Sequence, residues 1–322
     1  MLTRASDGAA PSYGAARPRV LRLAPLGVAM RLEARGGSAA VDLACRGWAG
    51  EPGGPGPALR LSLDVDPALR GSGPPAVEVA GRRLALRGPG LCGGACADRG
   101  VAWCRLSADW QHDPERLRAE ALDPLVLFLV ARHGRTPIHA AAIERGGLAI
   151  VLAGPSGAGK STLALAADRA GWDVLAEDTV YVQEAPQPAL WGSPGPAHVL
   201  PGEASPAPGA IRWRNGTLKH AVALRSQPES APVARQATLC VLARGDAAGL
   251  EPLTPAEALR ALPPPEPGFD LLAPAIARAS ALLASRGAWR LTLSADPAEA
   301  LALLASRLPG LRRSAWASGR RD

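Results

Sequence analysis

Lysine is nearly absent from this chain: of the 36 basic residues among its 322, only Lys160 and Lys219 are lysines, and the other 34 are arginines. A chain so biased toward arginine keeps lysine where a compact ammonium on a flexible stem matters, as in a phosphate cradle that a planar guanidinium fits poorly. Aromatics are also scarce, at 4%. A core must therefore be assembled from Leu, Val, Ile and Ala, with the eight tryptophans as its larger pieces. The longest apolar run, Leu125 to Ala131, is far too short to cross a bilayer, and no apolar stretch of the secretion-signal kind opens the chain. No membrane partner is expected, and the expected compartment is the cytoplasm. Dense Lys/Arg blocks and aromatic-interleaved basic motifs are missing too. A net charge of +7 and a pI near 9.8 suit an anionic partner such as a nucleotide or an acidic peptide, while nucleic acid is not expected.

Cysteine is sparse and odd in number: Cys45, Cys92, Cys96, Cys104 and Cys240 read as reduced thiols. The spacing of Cys92, Cys96 and Cys104 lacks the paired elements of a zinc site, whose fourth ligand would have to be His112 or Cys45. No structural metal is expected there.

The length exceeds one typical domain. Residues 1–17 read as a disordered lead-in, 18–112 as a β-rich module punctuated by Gly and Pro, 113–310 as an α/β domain, and 311–322 as a basic tail. In the front module Val20–Leu23, Ala58–Val65, Val77–Ala80 and Arg82–Leu86 have strand character. Asp113-Pro114-Glu115 is a helix start, a capping Asp with Pro in the first turn, and the helical pattern runs to about His133 with an interruption at Asp123-Pro124. Two strand-like runs follow, Ile138–Ile143 and Gly147–Ala153, and the short turn between them predicts a hairpin carrying His139. Pro-rich pieces at 186–208 and 263–267 read as loops.

Most informative is Gly154-Pro155-Ser156-Gly157-Ala158-Gly159-Lys160-Ser161-Thr162, which follows an apolar strand and opens an Ala/Leu-rich helix. In this strand–loop–helix setting the glycines let backbone N–H groups curl around phosphate oxygens. Lys160 reaches the outer phosphates, and the Ser161 hydroxyl is placed to ligate Mg²⁺. The nonamer predicts binding of a nucleoside triphosphate. Beyond the helix, a strand from Asp173 to Ala176 ends in Glu177-Asp178, two carboxylates where a metal ligand and a base are wanted. Lys219 is a candidate second phosphate or substrate contact, on the strength of its rarity alone.

Ile138-His139-Ala-Ala-Ala-Ile, the nonamer, and Arg169-Ala-Gly-Trp-Asp-Val-Leu-Ala-Glu-Asp together resemble the catalytic domain of HPr serine kinase/phosphorylase and its relatives. The resemblance implies an α/β fold with a mixed sheet, of the kind shared with phosphoenolpyruvate carboxykinases, and ATP with Mg²⁺ as cofactors. Carried over by position, Lys160 and Ser161 bind phosphates and metal, Asp178 helps hold Mg²⁺, and Glu177 takes the base position; His139 either tunes Glu177 or contacts phosphate. The family has Asp where this chain has Glu177. It also has, downstream of the loop, an E-x-R-G-x-G segment linked to phosphorolysis that is missing here. The expectation is an ATP-dependent kinase acting on a hydroxyl, a serine of a protein or precursor peptide, with a homo-oligomer compatible with it. The alternatives are a small-molecule kinase and a nucleotide-binding regulator without transfer. The run Thr238–Ala243 lacks the terminal Asp of an ordinary Walker B strand, which argues against a motor or transporter ATPase.

Overall fold

The computed structural model describes residues 18–308 apart from 37, 49–57, 72, 74–75, 194, 200–210, 215–216, 226–230 and 265–271, with the backbone alone described at 38 and 211–218. The lead-in, the tail and much of the longer Pro-rich stretch lie outside these residues.

Seven strands form the first sheet: β1 (Arg19–Leu23), β2 (Met30–Arg35), β3 (Leu59–Val65), β4 (Ala76–Ala80), β5 (Arg83–Gly88), β6 (Leu91–Cys96) and β7 (Val101–Leu106). Their order is β1-β2-β3-β7-β6-β5-β4, with β3 parallel to both β2 and β7. Alternation decides which face is covered. Leu59, Leu61 and Leu63 of β3 are buried, while Arg60 and Ser62 between them are exposed. Helix α1 (Ser38–Ala44) and a longer helical run cover the apolar face. Strands β2, β6 and β7 and helix α1 have no counterpart in the sequence reading.

The helical run starts where its cap predicts. Asp113 accepts the Arg116 N–H at 2.9 Å, and α2 (Pro114–Arg116) follows. The expected interruption is a change of winding instead, a π-helical stretch Leu117–Leu122 leading into α3 (Asp123–Ala131). Pro124 can donate no hydrogen bond, and the wider turn ahead of it absorbs the loss while the helix continues. Leu117, Leu122, Leu125 and Leu129 are buried in the core of the first sheet.

The chain then enters β8 (Thr136–His139), leaves strand geometry at Ala140, and resumes as β9 (Ala141–Arg145) and β10 (Leu148–Ala153). The expected hairpin is therefore made by β9 and β10, paired antiparallel across the Gly146-Gly147 turn. His139 belongs to a neighbouring sheet. Next come α4 (Lys160–Arg169), β11 (Asp173–Ala176), β12 (Thr179–Gln183), β13 (Ala189–Trp191), β14 (Ala197–Val199), β15 (Ile211–Arg214), β16 (Thr217–Val222), β17 (Val233–Ala234), β18 (Gln236–Arg244) and β19 (Gly249–Leu253). The last elements are α5 (Pro255–Ala261), α6 (Ala273–Ser285), β20 (Ala288–Leu293) and α7 (Pro297–Arg307).

A six-stranded sheet of order β11-β9-β10-β18-β20-β19 organises this part. Strands β10, β18 and β20 are parallel, and the others run against their neighbours, so the sheet is mixed. Both faces are covered. Ile150 and Leu152 of β10 pack with Leu163 of α4 and Leu304 of α7, while Val151 turns to Leu283 and Ala279 of α6. Two smaller sheets flank it, β17-β13-β12-β8 and β14-β16-β15. The molecule is an α/β protein with several mixed sheets.

Candidate functional site

Strand β10 delivers the chain to Gly154, and the loop closes where α4 begins at Lys160. Gly157 and Gly159 have φ of +82° and +104°, the left-handed region that a side chain makes costly. At Gly159 space is short as well, since an added Cβ would lie 2.8 Å from Arg244 Nη2 and 2.9 Å from Leu293 Cδ1. The first-turn amides of α4 have no carbonyl one turn before them, which leaves them facing the loop as anion donors. Lys160 is 7% exposed. Its Nζ donates to the carbonyls of Gly154 at 2.7 Å and Pro155 at 3.2 Å, folding the ammonium back across the base of its own loop. Pro155, Ser156 and Gly157 are exposed at the rim, whereas Ala158 is buried and its N–H bonds to Pro155 O at 3.1 Å. This donor set fits a polyphosphate: backbone amides, one buried ammonium and the hydroxyls of Ser161 and Thr162.

The two carboxylates between β11 and β12 point different ways. Glu177, 6% exposed, takes the Ser161 hydroxyl on Oε1 at 2.5 Å and the His198 backbone N–H on the same oxygen at 3.2 Å. Its Oε2 lies 3.4 Å from His198 Nδ1. Burial pushes its pKa up, but the bonds from His198 and Ser161 outweigh that and hold the carboxyl below its ordinary range, so it is ionised at neutral pH. Asp178 is half exposed and sits 3.5 Å from His139 Nδ1. The β8–β12 pairing makes that meeting, by setting Thr179 opposite His139.

Lys219 lies on β16 opposite Arg212. It shares a sheet face with Ala221, the partner of His198, and no contact with the phosphate loop is present among the described residues. Sequence reasoning missed two residues that the fold brings in. His198 comes from β14, a three-residue strand inside the Pro-rich stretch 186–208, which the sequence reads as a loop but which holds β13 and β14, and no motif marks it. Arg244 had a signal: the strand that lacks a terminal Asp ends on an arginine.

Fold and site together define an α/β protein whose strand–loop–helix element is shaped to hold an anion, with a carboxylate on the loop's serine. No protein-family model matches the chain, and no curated protein does. Among solved structures it is similar to the Hpr(Ser) kinase/phosphatase from Coxiella burnetii, with a TM-score of 0.26 and 12% identity over 53% of this chain and 94% of that one. That is a distant structural relationship.

Proposed function

We propose that this protein binds ATP with Mg²⁺ in the Gly154–Thr162 loop, on a phosphate-binding fold of the phosphoenolpyruvate-carboxykinase kind, and phosphorylates a hydroxyl, a serine of a protein or peptide. The observation that carries this reading is the Ser161–Glu177 bond beside buried Lys160. A hydroxyl at the start of a phosphate-binding helix, held on an ionised carboxylate, is the ligand pair that Mg²⁺ needs. Bound ATP supplies an activated phosphoryl group, and transfer rests mainly on positioning and charge neutralisation by the protein.

Lys160 neutralises phosphate charge from within the loop. Glu177 is committed to Ser161 and His198, so we assign it to the metal side. Asp178, half exposed and beside His139, is assigned to take the proton of an incoming hydroxyl, with His139 orienting it. This division reverses the one implied by family position, and geometry supports it: a carboxylate already receiving a serine hydroxyl and an amide is poorly placed to accept another proton. The serine acceptor rests on the sequence resemblance and on the positive charge of the chain. Lys219 stays a candidate contact for the acceptor, because it shares the sheet face of His198.

Lys160→Ala tests the site. Phosphoryl transfer should fall to background and ATP affinity should weaken, because the phosphate charge loses its compact partner. Undiminished turnover with labelled ATP would remove the loop from the reaction.

A further inference from the structure

On the outward face of the first sheet, strand register sets Ser62, Trp103, Gly94 and Ala85 in one row across β3, β7, β6 and β5. Strand β7 is the middle one of the seven, and Trp103 stands 47% exposed upon it. Among the described residues it is the one aromatic side chain so exposed. A Cβ on Gly94 would lie 3.2 Å from the indole Nε1, so the ring leans over Gly94, and Ala85 continues the row as a low floor. Arginines flank that floor. Arg60 and Arg83 lie along one side with Val101 and Cys96 between them, and Arg87 lies on the other side, opposite Cys92.

Charge makes the placement informative. Arg60, Arg83 and Arg87 are exposed, and among the described residues none of them has a carboxylate within ion-pair distance. Arg60 is also set directly opposite Arg31, a like-charge pairing that costs the sheet stability and that carboxylates from outside would relieve. An accessible tryptophan among arginines is the composition of a binding hot spot. Single-stranded nucleic acid stacks successive bases on successive aromatics, and this face offers one. Glu33 and Glu78, toward the two ends of the Trp103 row, would repel a continuous chain of phosphates. A peptide meets neither difficulty. Arg60 and Arg83 stand three strand spacings apart, about 14 Å, which four residues of extended chain span at about 3.4 Å each.

We propose that this face docks an extended acidic peptide segment, with one apolar residue of the segment on Trp103 and its carboxylates on Arg60, Arg83 and Arg87. That the segment belongs to a phosphoryl acceptor rests on the kinase reading; the docking surface does not.

Fluorescence anisotropy of the purified full-length protein with a fluorescein-labelled peptide of alternating glutamate and serine around one leucine tests it. The same peptide with lysine for glutamate, and a labelled deoxythymidine oligonucleotide, are the comparison probes. The acidic peptide should bind and the basic one should not, and binding should weaken in about 1 M salt. Arg83→Ala combined with Arg87→Ala should lower the affinity roughly tenfold or more, and Trp103→Ala should do the same, the scale of hot-spot truncations. Removing the indole also uncovers Gly94, so the arginines carry the decision: they are exposed, and their variant should keep the wild-type melting temperature. Equal affinity of that variant and wild type overturns the proposal, and so does a wild type that leaves the acidic peptide unbound. Preference for the oligonucleotide, dependent on Arg83 and Arg87, overturns it as well and makes the face a nucleic-acid platform. No nucleotide cofactor enters the assay, so every outcome leaves the reading of the phosphate loop as it stands.

Discussion

The first sheet and the six-stranded sheet solve the same packing problem in opposite ways. Strand β3 alternates, with buried Leu61 next to exposed Ser62, because helices cover only one of its faces. Strand β10 does not alternate at all: Ile150 and Val151 are both fully buried, one on each side of a sheet covered twice. A strand buried on both faces has no free surface for a ligand, and its chemistry moves to the ends, where Gly154, Glu177 and Arg244 gather. The one-sided sheet keeps a broad open face, and among the described residues none of its strands contributes to the phosphate loop. Scaffold and site thus occupy different parts of the fold, and variants can test that separation.

The largest expected effect falls on the strand-end chemistry. Asp178→Asn should cut phosphoryl transfer by about 10²-fold or more, the scale of general-base contributions, with ATP affinity and the Mg²⁺ requirement near wild type. Glu177→Gln should instead raise the Mg²⁺ concentration needed for half-maximal activity, because Ser161 loses an ionised partner. Mg²⁺ titrations of both variants decide between the proposed division and its reverse. Glu177→Gln should also change acid sensitivity. A carboxyl whose folded pKa lies below its unfolded value adds stability that is full above the ordinary carboxylate range and is lost as pH falls toward the folded value. Wild type should therefore lose stability faster than the variant below about pH 4.5, the upper end of the range for model carboxylates. Parallel denaturation curves at pH 6 and pH 3.5 would expose a missing difference.

Packing comes next. Ile150→Ala and Leu61→Ala should each cost about 2–5 kcal/mol, as buried truncations do. One residue along, the two sheets should part. Val151→Ala should again destabilise strongly, whereas Ser62→Ala should stay within about 0.5 kcal/mol, the range of a surface change. A Ser62 variant as damaging as the Val151 variant would mean that the open face is covered in solution.

How much could be read beforehand follows the same divide. The loop was legible because its chemistry is contiguous: nine residues in a row carry the glycines, Lys160 and Ser161. The helix start at Asp113 was legible through its cap, and β10 and β18 through their apolar runs. The split at Ala140 was not, since Ile138 to Ile143 carries no turn residue and only the fold shows that its halves pair with β12 and β10. His198 and Arg244 reach the site by long-range pairing, which leaves little local mark. Strands β6 and β7 escaped for another reason: Gly93-Gly94, with no side chains to alternate, sits mid-strand, where the Trp103 indole lies over Gly94 and occupies the space of a side chain.

The smallest effect belongs to the open face. Cross-strand pairing sets Arg22, Arg31 and Arg60 side by side on three adjacent strands, with about 4.8 Å between strands. Arginines that look scattered along the sequence are thus neighbours in the sheet, and like charges placed directly opposite destabilise it. Glu33, 2.7 Å from Arg31, offsets one of the three. Arg60→Ser removes the end of this row without touching the buried face, because residue 60 points outward between Leu59 and Leu61. We expect a gain of about 0.5 kcal/mol at low ionic strength, within the 0.2–1 kcal/mol range of cross-strand pairs. It should shrink toward zero in about 1 M salt, where the screening length is near 3 Å. Denaturation at two salt concentrations checks both parts. A loss of stability that salt leaves unchanged would mean that the arginine stem, packed along the sheet, contributes more than its charge costs.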